Sequence, residues 1–213
     1  MVNGQVRPNK VTDPRIIRAM RSLPREQFVP PALVSLAYTD TDVPLARGRA
    51  VMEPMVIARL VQLARVRAGE RVLVIGAGTG YGAALMAACG GEVTALEEDA
   101  ALLDLARRAL RDTAPGVKVV EGRLTDGQPG MSWDVIMIEG AVQSIPQTIA
   151  LQLNPAGGRL VTVLSPGEGA GGYGVLAEPG RPDAPNSVLR AQPVFDCATR
   201  LLPPLVPAPA FQF

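Results

Sequence analysis

No histidine occurs anywhere in the chain of 213 residues, which removes both the commonest general base and the commonest zinc ligand. Serine–histidine triads, histidine-bound zinc hydrolysis and imidazole-driven proton abstraction are thereby excluded. Any chemistry must come from positioning, carboxylates, hydroxyls or a bound cofactor. The two cysteines, Cys89 in an apolar stretch and Cys197 far from it, read as reduced packing residues rather than a disulfide framework. No apolar run approaches the ~20 residues of a membrane-spanning helix. The start, Met1–Arg7, lacks the basic-then-apolar pattern of a secretory signal, so a cytoplasmic protein with no membrane partner is expected. Nor is there an excess of charge: 21 Lys and Arg face 20 Asp and Glu, without the broad positive field of a nucleic-acid binder.

What is present is a regular centre between loop-rich ends. Asp13-Pro14 opens a short helix carrying Ile16, Ile17, Met20 and Leu23, which Pro24 ends; aspartate caps, and proline is tolerated in a first turn. A second short helical stretch follows Pro30-Pro31. Tyr38 to Met52 shows no period and reads as an extended loop. A helix starting near Glu53-Pro54 buries Met55, Val56, Leu60, Val61 and Leu63. Strands are then expected at Arg71–Ile75, Glu92–Leu96, Val117–Val120, Val135–Ile138 and Arg159–Leu164, alternating with helices at Tyr81–Cys89, after the cap Asp99, and after Pro146. Such alternation implies right-handed crossovers and a mostly parallel sheet covered on both faces. Past Ser165 the pattern changes: Val175–Ala177 and Ser187–Ala191 read as an antiparallel edge. One domain is expected, with a helical extension and loop over 1–52, an α/β core over 53–164, and an edge with a proline-rich tail over 165–213.

The chemistry concentrates where Val72-Leu73-Val74-Ile75 runs into Gly76-Ala77-Gly78-Thr79-Gly80-Tyr81. Glycines there allow a tight turn and close approach of a ligand, and the following helix aims free N–H groups at it. Glu97, ending the next strand, is placed to accept ribose hydroxyls. A dinucleotide turn would have glycine where Tyr81 stands; G-x-G-x-G suits an adenosyl group without a pyrophosphate. The fold class is therefore Rossmann-like α/β, and the expected cofactor is S-adenosyl-L-methionine. That reading requires open space above the turn, with Glu97 facing it.

Further motifs fall in register with a known family. Val11-Thr12-Asp13-Pro14-Arg15, Leu23-Pro24-Arg25-Glu26-Gln27-Phe28-Val29-Pro30, Leu36-Ala37-Tyr38, Asp42-Val43-Pro44-Leu45, Trp133-Asp134-Val135-Ile136, Ile145-Pro146 and Leu153-Asn154-Pro155-Ala156-Gly157-Gly158-Arg159 resemble the protein-L-isoaspartate O-methyltransferases. The resemblance implies a seven-stranded methyltransferase fold and methyl transfer to a peptide or protein carboxylate. A carboxylate is already ionised at neutral pH, so the reaction suits a chain without histidine.

The chain also departs from the family. The family's Gly-x-Thr-x-Ser acceptor loop is here Gly48-Arg49-Ala50-Val51-Met52, followed by Glu53-Pro54, so both hydroxyls are gone. Arg49 is read either as a new partner for an acceptor carboxylate or as a surface arginine. Arg49, Met52 and Glu53 are the acceptor-loop candidates, although Glu53-Pro54 also makes a good first helical turn. Val74 replaces a family acid, and the family's Gly-Asp-Gly has become Gly122-Arg123-Leu124, with Asp126 a few residues on as a substitute. Glu139 places a new acid after the fourth core strand. The cofactor-facing candidates are thus Gly76, Gly78, Gly80, Tyr81, Glu97, Arg123, Asp126 and Glu139. The alternative function is a catalytically degenerate relative acting as an adenosyl-ligand sensor or interaction protein. Finally, Leu201, Leu202 and Leu205, with Phe211 and Phe213, are too apolar to stay solvated, so the tail is expected to cover the sheet edge or a partner.

Overall fold

A computed structural model of the chain describes residues 1–180 and 188–206. Its frame is a seven-stranded sheet made of β3 (Arg71–Ile75), β4 (Glu92–Glu97), β5 (Lys118–Glu121), β6 (Val135–Val142), β7 (Arg159–Leu164), β8 (Gly172–Pro179) and β9 (Leu189–Cys197). The order across the sheet is β5-β4-β3-β6-β7-β8-β9, parallel through β7, with β8 and β9 antiparallel. All eight residues of β6 are buried, as befits a central parallel strand covered on both faces. Because β4 lies on one side of β3 and β6 on the other, the chain reverses its direction of winding between β3 and β6. Ligands in open α/β sheets lie in that crevice, beyond the carboxyl ends of the strands.

The helices are α1 (Pro14–Ser22), α2 (Pro54–Ala64), α3 (Tyr81–Ala88), α4 (Ala100–Thr113) and the short α5 (Gln147–Ala150). Asp13 caps α1 by accepting the Arg15 N–H, and Asp99 caps α4 by accepting those of Ala101 and Leu102. Met55 and Leu63, expected on the buried face of α2, are only half-buried.

Three differences from the expected elements bear on the site. The segment read as an unbroken loop contains a small hairpin, β1 (Val43–Pro44) paired antiparallel with β2 (Ala50–Val51); two-residue strands are too short to show a period. β6 runs four residues further than expected, because its register against β7 shifts between Met137 and Ala141. Such a bulge re-aims side chains, and here the shifted stretch carries Glu139. Lastly, β8 and β9 are longer than the short strands anticipated, although Ser187 lies outside the described residues.

Candidate functional site

β3 ends in a turn where Gly76, Gly78 and Gly80 all take positive φ, 71°, 56° and 95°, a conformation that L side chains resist. The turn hangs on β4 through the N–H groups of Gly76 and Ala77, which both donate to the Leu96 carbonyl. Beside it, Glu97 is fully buried. Its Oε2 accepts the Gly78 N–H at 2.8 Å, and Oε1 accepts those of Glu98 at 2.9 Å and Asp99 at 3.1 Å. The carboxylate therefore faces the turn.

The same carboxylate carries a guanidinium. Arg49, 5% exposed, donates from Nη1 to Glu97 Oε1 at 3.0 Å and from Nη2 to Oε2 at 2.8 Å, while Nη2 also reaches the Gly76 carbonyl at 2.7 Å. This two-pronged pairing matches the planar fork of arginine to a carboxylate. The surface reading of Arg49 is thus corrected, and its partner in the structure is the cofactor-strand acid rather than an acceptor.

Above the turn there is little room. A methyl group placed on Gly76 would come within 2.8 Å of Leu202 Cδ2 and 3.1 Å of Arg49 Nη2, and one on Gly78 within 3.6 Å of Leu45 Cδ1. On the acceptor side, Arg49, Met52, Glu139 and Leu202 enclose a cavity of only about 10 Å³. A cleft of about 450 Å³ remains on the far side of Arg49, bounded by Arg47, Asp99 and Pro203. A larger concavity, about 760 Å³, lies among Arg71, Glu92 and Lys118, at the amino-terminal ends of the strands and away from the switch point. Of the two conditions the adenosyl reading sets, Glu97 meets one by facing the turn; the other, open space above the turn, is not met, because Leu202, Arg49 and Leu45 fill it in this conformation.

The other candidates separate. Met52 is buried, and its carbonyl accepts from Arg25 Nη2 at 2.6 Å. Glu53 is half-buried at the entry to α2, its N–H donating to Asp42; burial and the nearby Asp40 and Asp42 raise its pKa. Tyr81 packs against the amino-terminal extension, edge-on to Phe28 with ring centroids 5.3 Å apart and beneath Arg25 at 4.6 Å; burial lifts its pKa to about 12. A methyl on Gly80 would meet Leu110 of α4 at 2.8 Å, so this glycine makes room for a helix rather than a ligand.

Arg123 and Asp126 require correction: both are exposed and neither borders the cleft beside Arg49. The Asp126 carboxylate accepts the Thr125 hydroxyl, and its carbonyl accepts from Nε2 of Gln152 in the loop after α5. Glu139, by contrast, lies deep inside. Burial raises its carboxyl to about pKa 8, with the Gly82 N–H, Arg49 and Arg25 pulling the other way, and a methyl on Gly82 would stand 2.4 Å from its Oε2. Its Oε2 and Nη1 of the wholly buried Arg25 have no hydrogen-bond partner among the described residues.

Sequence reasoning missed Arg25, Asp42 and the position of Leu202. Arg25 lies inside the motif Leu23–Pro30, and its place directly after Leu23-Pro24 and shortly before Phe28-Val29-Pro30 is the one signal the sequence holds. Asp42 and Leu202 act through contacts distant in sequence, which leave no local pattern. Of the apolar tail residues, Leu202 and Leu205 are buried, Leu202 against Gly76 after β3 and Gly140 within β6 rather than along the sheet edge. Phe211 and Phe213 lie outside the described residues.

Comparison with known proteins follows the same lines. The family model for protein-L-isoaspartate(D-aspartate) O-methyltransferase matches residues 2–170. Protein-L-isoaspartate O-methyltransferase 1 of Rhodopseudomonas palustris (strain HaA2) is 40% identical over 165 residues, 76% of this chain and 66% of that protein, so the chain spans just under two thirds of it. The Methanoculleus marisnigri protein of the same name is 38% identical over 170 residues, 79% of this chain and 77% of its own. Among solved structures, a protein-L-isoaspartate O-methyltransferase superposes with TM-score 0.74 at 25% identity, covering 92% of this chain and 62% of that one. A Plasmodium falciparum chain of that description, in complex with S-adenosyl-L-homocysteine, gives TM-score 0.72 at 16% identity over 92% and 94%.

Proposed function

The chain belongs to the protein-L-isoaspartate O-methyltransferase family, and from that membership we propose that it is an S-adenosylmethionine-dependent O-methyltransferase whose acceptor is a peptide or protein carboxylate. The observation that carries the reading is Glu97, turned toward the glycine turn and held 2.8 Å from the Gly78 N–H at the switch point of the sheet. When bound, the sulfonium supplies the electrophilic methyl group; the remaining work is alignment. Gly76 and Gly78 let an adenosyl group approach the backbone, and Glu97 takes its ribose hydroxyls.

At the acceptor end the family's two hydroxyls are absent, and Glu139 stands nearby. With a carboxyl at about pKa 8, it is mostly neutral at pH 7. In that state it offers a hydrogen-bond donor and no repelling charge to an anionic acceptor. The reading is tested by methyl transfer from labelled S-adenosylmethionine to an isoaspartyl peptide and to a protein extract. Labelled, base-labile ester is expected; the absence of S-adenosylmethionine binding by calorimetry at millimolar ligand rejects it. A second reading, a relative that binds adenosyl ligands without transferring methyl groups, is favoured by one observation: Ala50 and Met52 stand where the family carries its acceptor-loop hydroxyls, and the cavity they line with Glu139 is only about 10 Å³. Binding without ester formation on any acceptor supports that reading.

A further inference from the structure

We propose that the segment 199–205 is an autoinhibitory strap, which in the ligand-free chain lies in the cofactor crevice and, with Arg49 latched on Glu97, must lift before an adenosyl ligand enters. The inference rests on the methyltransferase reading and concerns control of that same site.

Three observations place the strap where a ligand would go. Leu202 is 1% exposed and its methyl carbons cover the face of Gly76, as a probe methyl 2.8 Å from Cδ2 shows. Leu202 also covers Gly140, where a methyl would lie 3.0 Å from its Cβ, and Pro203 covers Gly48 at 3.3 Å. The strap thus touches the cofactor turn, the bulged end of β6 and the acceptor hairpin at once. Under it, both oxygens of Glu97 are engaged by Arg49, so the carboxylate meant for ribose hydroxyls already has its partner.

The attachment is local and able to come undone. The strap joins the sheet by a single parallel bridge, Ala141 N–H to the Arg200 carbonyl at 2.9 Å and Leu202 N–H to the Ala141 carbonyl at 2.8 Å. Pro203 and Pro204 follow, and without N–H groups they cannot extend that ladder. The remaining polar anchor is Asp42, whose Oδ2 accepts the Thr199 hydroxyl at 2.7 Å and the Arg200 N–H at 3.1 Å, while Oδ1 accepts the Glu53 N–H at 2.9 Å. Asp42 therefore ties the strap to the first turn of α2, directly after the acceptor loop. Lifting the strap frees a carboxylate that also holds the acceptor side, so cofactor entry and acceptor-loop position are coupled through one residue.

The test is calorimetric binding of S-adenosylhomocysteine to the full chain and to Leu202→Ala, together with hydrogen exchange of the full chain with and without that ligand. A strap that competes with the ligand lowers apparent affinity by the fraction of chain in which it is lifted. Leu202→Ala should therefore bind about tenfold more tightly or better. In the unaltered chain, ligand should speed exchange at the Ala141 and Leu202 amides, the reverse of ordinary protection. Equal affinity of the two proteins, or unchanged or slowed exchange at those amides, overturns the strap and leaves the methyltransferase reading intact. No binding by either protein overturns both. Should Leu202→Ala fail to fold, the exchange measurement on the unaltered chain decides alone.

Discussion

The floor of the crevice comes from one stretch of chain, 71–99, in which strand, turn, helix and strand follow one another and the backbone donors to the Glu97 carboxylate all lie within the stretch. Its roof is gathered from both ends of the protein: Leu45 and Arg49 from the hairpin, Leu202 and Pro203 from the strap. Local geometry dictates the floor, since a buried strand that must turn above a ligand has few solutions, and glycine supplies them. The roof has no such dictation. It is held by one bridge, one aspartate and apolar contact, and it closes on the floor through a single buried ion pair. A floor made to bind and a roof made to shut are separate devices, and substitutions distinguish them.

Severing the ion pair has the largest expected effect. Arg49→Ala leaves the Glu97 carboxylate buried without its counter-charge, and breaking one side of a buried pair typically costs about 3–5 kcal/mol. Chemical denaturation should register that loss, and adding Glu97→Gln in the same chain should recover part of it, because a neutral amide no longer needs a cation. A loss below about 1 kcal/mol would mean that the three backbone donors alone satisfy Glu97, and that the floor stands independently of the roof.

Glu139, on the wall between floor and roof, sharpens the comparison through pH. Its carboxyl ionises near pH 8 in the folded chain, against an ordinary value of 4.5. The folded state therefore holds a proton that the unfolded state gives up between those limits. The associated stability is complete below pH 4.5 and is lost as pH rises, by up to about 1.4 kcal/mol per unit, until Glu139 ionises in the folded protein near pH 8. Glu139→Gln stays neutral throughout, so urea denaturation from pH 5 to 8 should lose that slope. A variant with the same slope as the unaltered chain places the titrating group elsewhere.

How much of this was legible in the sequence divides along the same line. The turn 76–80, the acid Glu97, the cap Asp99 and the parallel frame were readable because each is a short-range pattern with one physical solution. Arg49 stood out as an oddity, but its partner did not, since nothing near residue 49 points to residue 97. Arg123 and Asp126 are candidates only through the family's Gly-Asp-Gly position, which says nothing of long-range contacts; the carbonyl of Asp126 is fastened by Gln152, a contact made after another crossover. Glu139 was recognised as a new acid, whereas the bulge that aims it inward appears only in the pairing of β6 with β7.

A smaller effect is expected at the strap's polar anchor. Thr199→Val keeps the shape of the side chain and removes the donor to Asp42 Oδ2, a hydrogen bond of 2.7 Å at half-buried residues. Since Asp42 still accepts from Arg200 and Glu53, the cost should be about 1 kcal/mol. It should appear as faster exchange at the Leu202 amide without change at the Gly78 amide, which belongs to the floor. Equal acceleration at both amides would show the two devices opening together.

The smallest effect is expected where roof and floor touch in water. Arg47 Nε lies 2.8 Å from Asp99 Oδ2, but the Arg47 side chain is 82% exposed, and such pairs contribute about 0–1 kcal/mol, less in salt. Arg47 also holds φ at 54°, left-handed backbone that costs a residue with a Cβ on the order of 1 kcal/mol. Arg47→Gly gives up the first term and relieves the second, so stability should change by less than about 0.5 kcal/mol, with little dependence on salt. Asp99 Oδ1 still accepts the capping N–H groups of Ala101 and Leu102 in either case. A loss above about 1 kcal/mol that fades in high salt would instead make this exposed pair a second latch, and the roof would then be fastened to the floor at two points.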